Sequence, residues 1–156
     1  MDNREKALHV FEEFCAAIDA RGWHYNRDDE NLRLSFDIRG DDLTMDVSAS
    51  IDERLQRIYV LSHLPFAFSE DKRLDGAIAT SVINYNLVDG SFDYNMKTGR
   101  TVFRMTNSFK GCEVGRELFD YIMDCMLYTV DEYNDKFFML SIGAKSLEDF
   151  ISEYSE

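Results

Sequence analysis

The chain has 156 residues, of which 30 are acidic and 17 basic, for a formal net charge of −13. Hydrophobic residues make up 45% and aromatics 13%, a composition that excludes long disorder, while a negative field of this size disfavours nucleic acid and anionic membranes as partners. With a single proline, Pro65, and no Pro/Gly/Ser-rich linker, residues 1–156 are expected to form one domain.

The first element is a helix. Asp2 or Asn3 can cap it, and Ala7, Leu8, Phe11, Phe14, Cys15 and Ile18 recur at helical spacing until Gly22 stops it. Strict alternation follows: Leu32, Leu34, Phe36 and Ile38 point one way, with Arg33, Ser35 and Asp37 the other. Gly40-Asp41-Asp42 turns the chain into a second alternating run, Leu43 to Ile51, so this is a β-hairpin with one apolar and one polar face. A turn near Asp52-Glu53 leads to "LQRIYVLSHL", where alternation fails, because Ile58 and Val60 share one side and Tyr59 and Leu61 the other. Pro65 is expected to close that strand, with "FAFSEDKR" as a loop.

A second helix carries Leu74, Ala77, Ile78, Ser81, Val82 and Tyr85 on one stripe. The next segment, "DGSFDYNMKTGRTVFRM", alternates again around a Lys97-Thr98-Gly99-Arg100 turn, with Gly99 suited to positive φ. After Gly111 a long helix with Val114, Leu118, Tyr121, Ile122, Cys125 and Thr129 inward runs to about Leu140. Ser146 then caps a short closing helix through Tyr154. The order α-β-β-β-α-β-β-α-α reads as an α+β fold, a five-stranded antiparallel sheet with helices on one face.

Chemical motifs are sparse. Asp93, Asn95 and Gly99 suggest a calcium loop, but counting from Asp93 puts Thr98 where an EF-hand needs glycine and Arg104 where it needs the bidentate glutamate. His9, His24 and His63 have no metal-ligand spacing, and there is no CxxC, nucleophile elbow or phosphate-binding glycine loop. The acidic runs Asp28-Asp29-Glu30 and Asp41-Asp42 read as solvated loops, and Arg39-Gly40-Asp41 as a hairpin turn. No catalytic residue, cofactor or metal is therefore assigned.

Cys15, Cys112 and Cys125 cannot all pair, and no secretory leader opens "MDNREKALHVFEEF", which together lead to the expectation of a reduced, prokaryotic cytoplasm. Residues 111–156 hold 11 acidic side chains against three basic ones. They form either a solvated acidic helix face or an attractor of basic partners.

One feature stands out from this background. The non-core sheet face is small and polar (Ser35, Asp37, Thr44, Asp46, Ser48, Ser91, Asp93, Asn95) except at the third strand, where Tyr59 with Leu61, or Ile58 with Val60, makes an apolar stripe. The stripe is covered either by the chain itself, through "FAFSEDK" or the last helix, or by a partner. Ile58, Tyr59, Val60 and Leu61 are accordingly the candidate protein-binding residues. The competing reading is a small-ligand or enzymatic pocket near Trp23, Tyr25 and His63, and a third is a homodimer with purely structural duty.

The chain also resembles the YbjN family of bacterial sensory transduction regulators. The carrying residues are Asn84 at the end of the second helix, Gly90, Phe92, Gly99 and Phe103-Arg104 in the hairpin, and the closing "VDEYNDKFFMLSIGAKSLEDFI", which lacks the family's proline after Tyr133. The resemblance implies a fold similar to type III secretion chaperones, which are small, acidic, cytoplasmic dimers that bind extended segments of secreted proteins. It implies a non-enzymatic, regulatory or chaperone-like module with a protein or peptide partner, a homodimer, and neither nucleic acid nor membrane as ligand.

Overall fold

The computed structural model describes residues 1–155. Helix α1 (Asn3–Ala20) is followed by strands β1 (Asn26–Asp28), β2 (Arg33–Arg39), β3 (Thr44–Asp52) and β4 (Arg57–Ala67). Helix α2 (Arg73–Asn86) comes next, then β5 (Ser91–Tyr94), β6 (Arg100–Ser108), α3 (Arg116–Ser141) and α4 (Leu147–Tyr154). The strands form one antiparallel sheet in the order β1-β2-β3-β4-β6-β5. The expected α+β architecture is present with six strands rather than five. The added strand, β1, is three exposed polar residues, Asn26, Arg27 and Asp28, and carries no apolar alternation by which a sequence reading could find it.

Local chemistry places these elements. Asp2 caps α1 through a reciprocal capping box with Glu5. The β1–β2 and β3–β4 turns share one device: Asp28 Oδ1 accepts from the Asn31 amide at 3.0 Å, and Asp52 Oδ1 from that of Leu55 at 2.7 Å. Each turn then passes through a positive-φ residue, Leu32 (52°) and Gln56 (51°). The acidic run at 28–30 is thus partly structural. Pro65 lies inside β4 instead of ending it, at a point where the register with β6 slips between His63 and Ala67; a residue without an amide is accommodated where ladder pairing is broken.

Alternation on the strands puts Leu34, Phe36, Met45, Val47, Ala49, Ile51, Ile58, Val60, Leu64, Phe92, Phe103 and Met105 in the core beneath the helices. Phe14 of α1 stacks on Phe119 of α3 at 4.6 Å, and Phe137 of α3 meets both Phe92 of β5 and Phe150 of α4. Arg21 holds the end of α1 to α3 through Asp120 and Asp124.

Two helix stripes differ from the sequence reading. The buried residues of α2 are Gly76, Ala79, Thr80 and Ile83, whereas Leu74, Ile78 and Tyr85 face outward. The buried side is chosen by close approach: the Tyr94 phenol lies where a side chain at Gly76 would sit, its hydroxyl oxygen 2.5 Å and its ring carbons 2.7 Å from the β-carbon position. In α3 the core stripe is Phe119, Ile122, Met123, Met126, Val130, Phe137 and Leu140, and Tyr121 is exposed.

The hairpin that suggested a calcium loop is wiring. Gly99, at φ +71°, closes the β5–β6 turn; its amide donates to the Asn95 carbonyl at 2.8 Å and its carbonyl accepts from Phe68 N at 2.9 Å. Arg73 completes the clamp, donating from Nε to the Phe68 carbonyl and from a terminal nitrogen to that of Lys97.

A candidate docking surface on the open sheet face

The two sides of β4 have different surroundings. Ile58 and Val60 are fully buried under the helices, so these two members of the candidate set belong to the core and cannot meet a partner. Tyr59 and Leu61 lie half-buried on the opposite side, flanked by Arg57 and His63. Neither of the chain's own candidates covers them. Phe66 and Phe68 turn inward against Phe138 and Tyr94, and α4 packs across α2 and Phe137 on the helical side.

Strand register arranges the open face in rows. One row runs Asp28, Arg33, Ser50, Tyr59, Thr106; the next runs Asn26, Ser35, Ser48, Leu61, Arg104, Ser91; a third runs Asp37, Asp46, His63, Val102, Asp93. Serines at positions 35, 48 and 50 keep the middle of the face low. Tyr59 and Leu61 stand on one side, with Asn26, Asp28 and Arg33 on the other, around a shallow hollow of about 500 Å³. Pleating explains why the hollow exists, since small residues on β2 and β3 stand opposite large ones on β4.

Charges on this face are unevenly paired. Arg104 is joined to Asp93 at 2.7 Å. Asp37 and Asp46 are direct cross-strand partners, a like-charge pairing that destabilises a sheet, and among the described residues neither is within ion-pair distance of a cation. Next to them His24, Tyr25 and Asn26 border a second hollow with Asp37 and Asp46.

The competing pocket does not assemble. Tyr25 lines that second hollow, His63 lines a separate one with Tyr94 and Arg100, and Trp23 lines neither, packing instead on Phe36 with Arg21 over its ring. Burial, and then the neighbouring Cys15 thiol, push the Tyr25 hydroxyl up to about 12, which keeps it a neutral phenol rather than a base. Burial likewise raises the Cys15 thiol and makes it a poor nucleophile. Hydrogen bonds to Asp29 and Glu12 raise Arg27, which lies over the Phe11 ring at 5.2 Å, so this cluster is a charged strut between α1 and β1. Among the described residues no group of three or more His, Cys, Asp or Glu side chains could hold a metal ion, and no helix is long and apolar enough to cross a membrane.

At the β5 edge, the Asn84 side chain accepts from Phe92 N at 2.8 Å and donates to Phe92 O at 2.9 Å, as a neighbouring strand would. This residue, which carries part of the family resemblance, and the hairpin it braces are matched by a family model described as "Putative bacterial sensory transduction regulator" over residues 11–139. The chain belongs to the YbjN family. No curated protein matches it. One solved structure with the same fold is a chain of the HopA1-SchA chaperone-effector complex, 13% identical, with a TM-score of 0.55, covering 83% of this chain and 95% of that one. The fold expected for a YbjN member, similar to a type III secretion chaperone, is therefore the fold observed.

Two surfaces were missed by sequence reasoning. The Asp37/Asp46 pairing depends on register, which the hairpin turn sets and which composition does not reveal. The stripe of α2 is visible in the sequence, but its spacing does not say that Leu74, Ile78 and Tyr85 face outward.

Proposed function

We propose that this YbjN member is a non-enzymatic, cytoplasmic protein-binding module, regulatory or chaperone-like, that docks an extended segment of another protein on its open sheet face. The observation that carries this reading is the half-buried Tyr59–Leu61 stripe beside a serine-floored hollow, on a face that no element covers among the described residues. An apolar patch rimmed by polar groups suits a partner surface. Family membership and the chaperone–effector neighbour support the same reading. Against an enzyme stands the dispersal of Trp23, Tyr25 and His63, which leaves no converging acid, base and nucleophile.

The module acts as a homodimer in this reading. The outward stripe of α2 (Leu74, Ala77, Ile78, Ser81, Tyr85) has no charge in a chain of net −13, and Leu74 and Tyr85 are 67% and 86% exposed. Two copies that repel elsewhere can meet there, around a twofold axis near Ile78 and Ser81.

Leu61→Asp and Tyr59→Asp are expected to leave a folded protein that no longer captures its partner from the native cytoplasm. Ile78→Asp is expected to leave capture sites intact while sedimentation shows a monomer. If Leu61→Asp and Tyr59→Asp capture the same proteins as the parent chain, the open face is not the docking surface.

A further inference from the structure

Resting on the docking reading, we infer that the open face selects an extended segment in which an apolar side chain and a lysine or arginine stand two residues apart. The inference comes from the spacing of two features on the sheet. Leu61 and Ser48 occupy one row of outward-facing residues, and Asp46 and Asp37 occupy the next. Successive outward rows on a strand are two residues apart, about 6.6 Å at ~3.3 Å per residue. A segment lying along β3 and β4 in β conformation has the same period, so its residues i and i+2 both face the sheet and fall on successive rows. An apolar side chain in the hollow beside Leu61 therefore brings the side chain two residues away over the Asp37/Asp46 pair.

Charge determines what that second side chain is. Asp37 and Asp46 face each other without a cation of the chain to separate them. Arg39, two residues further along β2 on the same side, forms no ion pair with either among the described residues, and Arg104 is already engaged by Asp93. Among the described residues the cation-forming groups beside the pair are two histidines, His63 opposite Asp46 and His24 across the second hollow, and neither forms an ion pair with it. A lysine or arginine from outside would relieve the repulsion and gain two charge-assisted hydrogen bonds; a glutamate would add a third negative charge. The net charge of −13 acts in the same direction at long range, speeding encounter with basic segments. The hollow thus sets the position of the segment, and the paired carboxylates select its composition.

The test uses the full chain, amide-resolved NMR titration and two peptides, Thr-Leu-Thr-Leu-Thr-Lys-Thr and the same sequence with Glu replacing Lys. The lysine peptide is expected to shift the amides of Asp46, Ser48 and Leu61 and to bind roughly fivefold or more tightly than the glutamate peptide. In a protein carrying both Asp37→Asn and Asp46→Asn the two peptides should bind alike, with a melting temperature at or above that of the parent, since a like-charge pair has been removed. Equal binding of both peptides to the parent protein, or a lysine preference that survives the double substitution, overturns the charge selection and leaves the docking face standing. Absence of shifts on the open face with either peptide overturns both.

Discussion

Val60 and Leu61 are neighbours in one strand, yet they belong to two different environments. The side of β4 bearing Ile58, Val60 and Leu64 is buried beneath α3, with α1 over the neighbouring β3. The side bearing Tyr59, Leu61 and His63 is covered by no helix among the described residues. Both sides are apolar at the centre of the strand, so hydrophobicity alone does not distinguish a core from a docking surface. The difference comes from what the remaining strands place around each stripe: large apolar residues on the covered side, and serines and aspartates on the open one. The first side holds the fold together, and the second is the one on which docking is proposed.

The largest effect should come from testing this contrast directly. Val60→Asp buries an unpaired carboxylate and is expected to unfold the protein, a loss of about 4 kcal/mol or more. Leu61→Asp, one residue on, should change stability by no more than ~1 kcal/mol in urea denaturation. Similar midpoints for the two variants would erase the distinction between the faces. Gly99→Ala tests the clamp on the covered side. Its positive φ, and the Phe68 carbonyl oxygen on the position a β-carbon would take, leave no room for a methyl group, and a cost of about 2–4 kcal/mol is expected by the same measurement.

Asn84→Ala should cost about 1–3 kcal/mol, because both hydrogen bonds to Phe92 are lost at a partly buried site. Hydrogen exchange localised to β5 would identify the cause. The smallest effect concerns Asp28, at the rim of the open face. Hydrogen bonds from Asn31 hold its carboxyl below the ordinary 3.8. A group with a depressed folded pKa contributes stability that is present above the unfolded value and lost as pH falls through the folded one. Its NMR titration midpoint should therefore lie below 3.8, and Asp28→Asn should remove a small part of the stability lost on acidification below that pH.

Much of this could be read in advance, for identifiable reasons. Strands β2, β3 and β6 alternate cleanly because one side is buried and the other is wet, and that periodicity survives without knowledge of neighbours. Helix α1 was legible from its cap and its stripe. By contrast, β1 is held by pairing with β2 and by Arg27 reaching Glu12, interactions made at a distance from a segment with no pattern of its own. The stripe of α2 was legible but not its direction: Leu74, Ile78 and Tyr85 have the spacing of a core face, while the helix buries Gly76, Ala79 and Ile83 and comes close to Tyr94. At the candidate site, the two-sided character of "RIYVLSHL" pointed to β4, but which side was open depended on where the helices lie. The Asp37/Asp46 juxtaposition needed the register of β2 against β3, which a single sequence encodes only through turn length.

Asn84 has a consequence beyond the stability of its hairpin. A sheet whose last strand ends in bare amides and carbonyls invites another chain to continue it, and a chain that carries an apolar stripe on an open face would make the resulting ribbon adhesive. By occupying both hydrogen-bonding positions of Phe92, one carboxamide blocks the middle of the β5 edge within the molecule. Addition of a further strand at the β5 edge is thereby disfavoured at Phe92, whatever the open face binds.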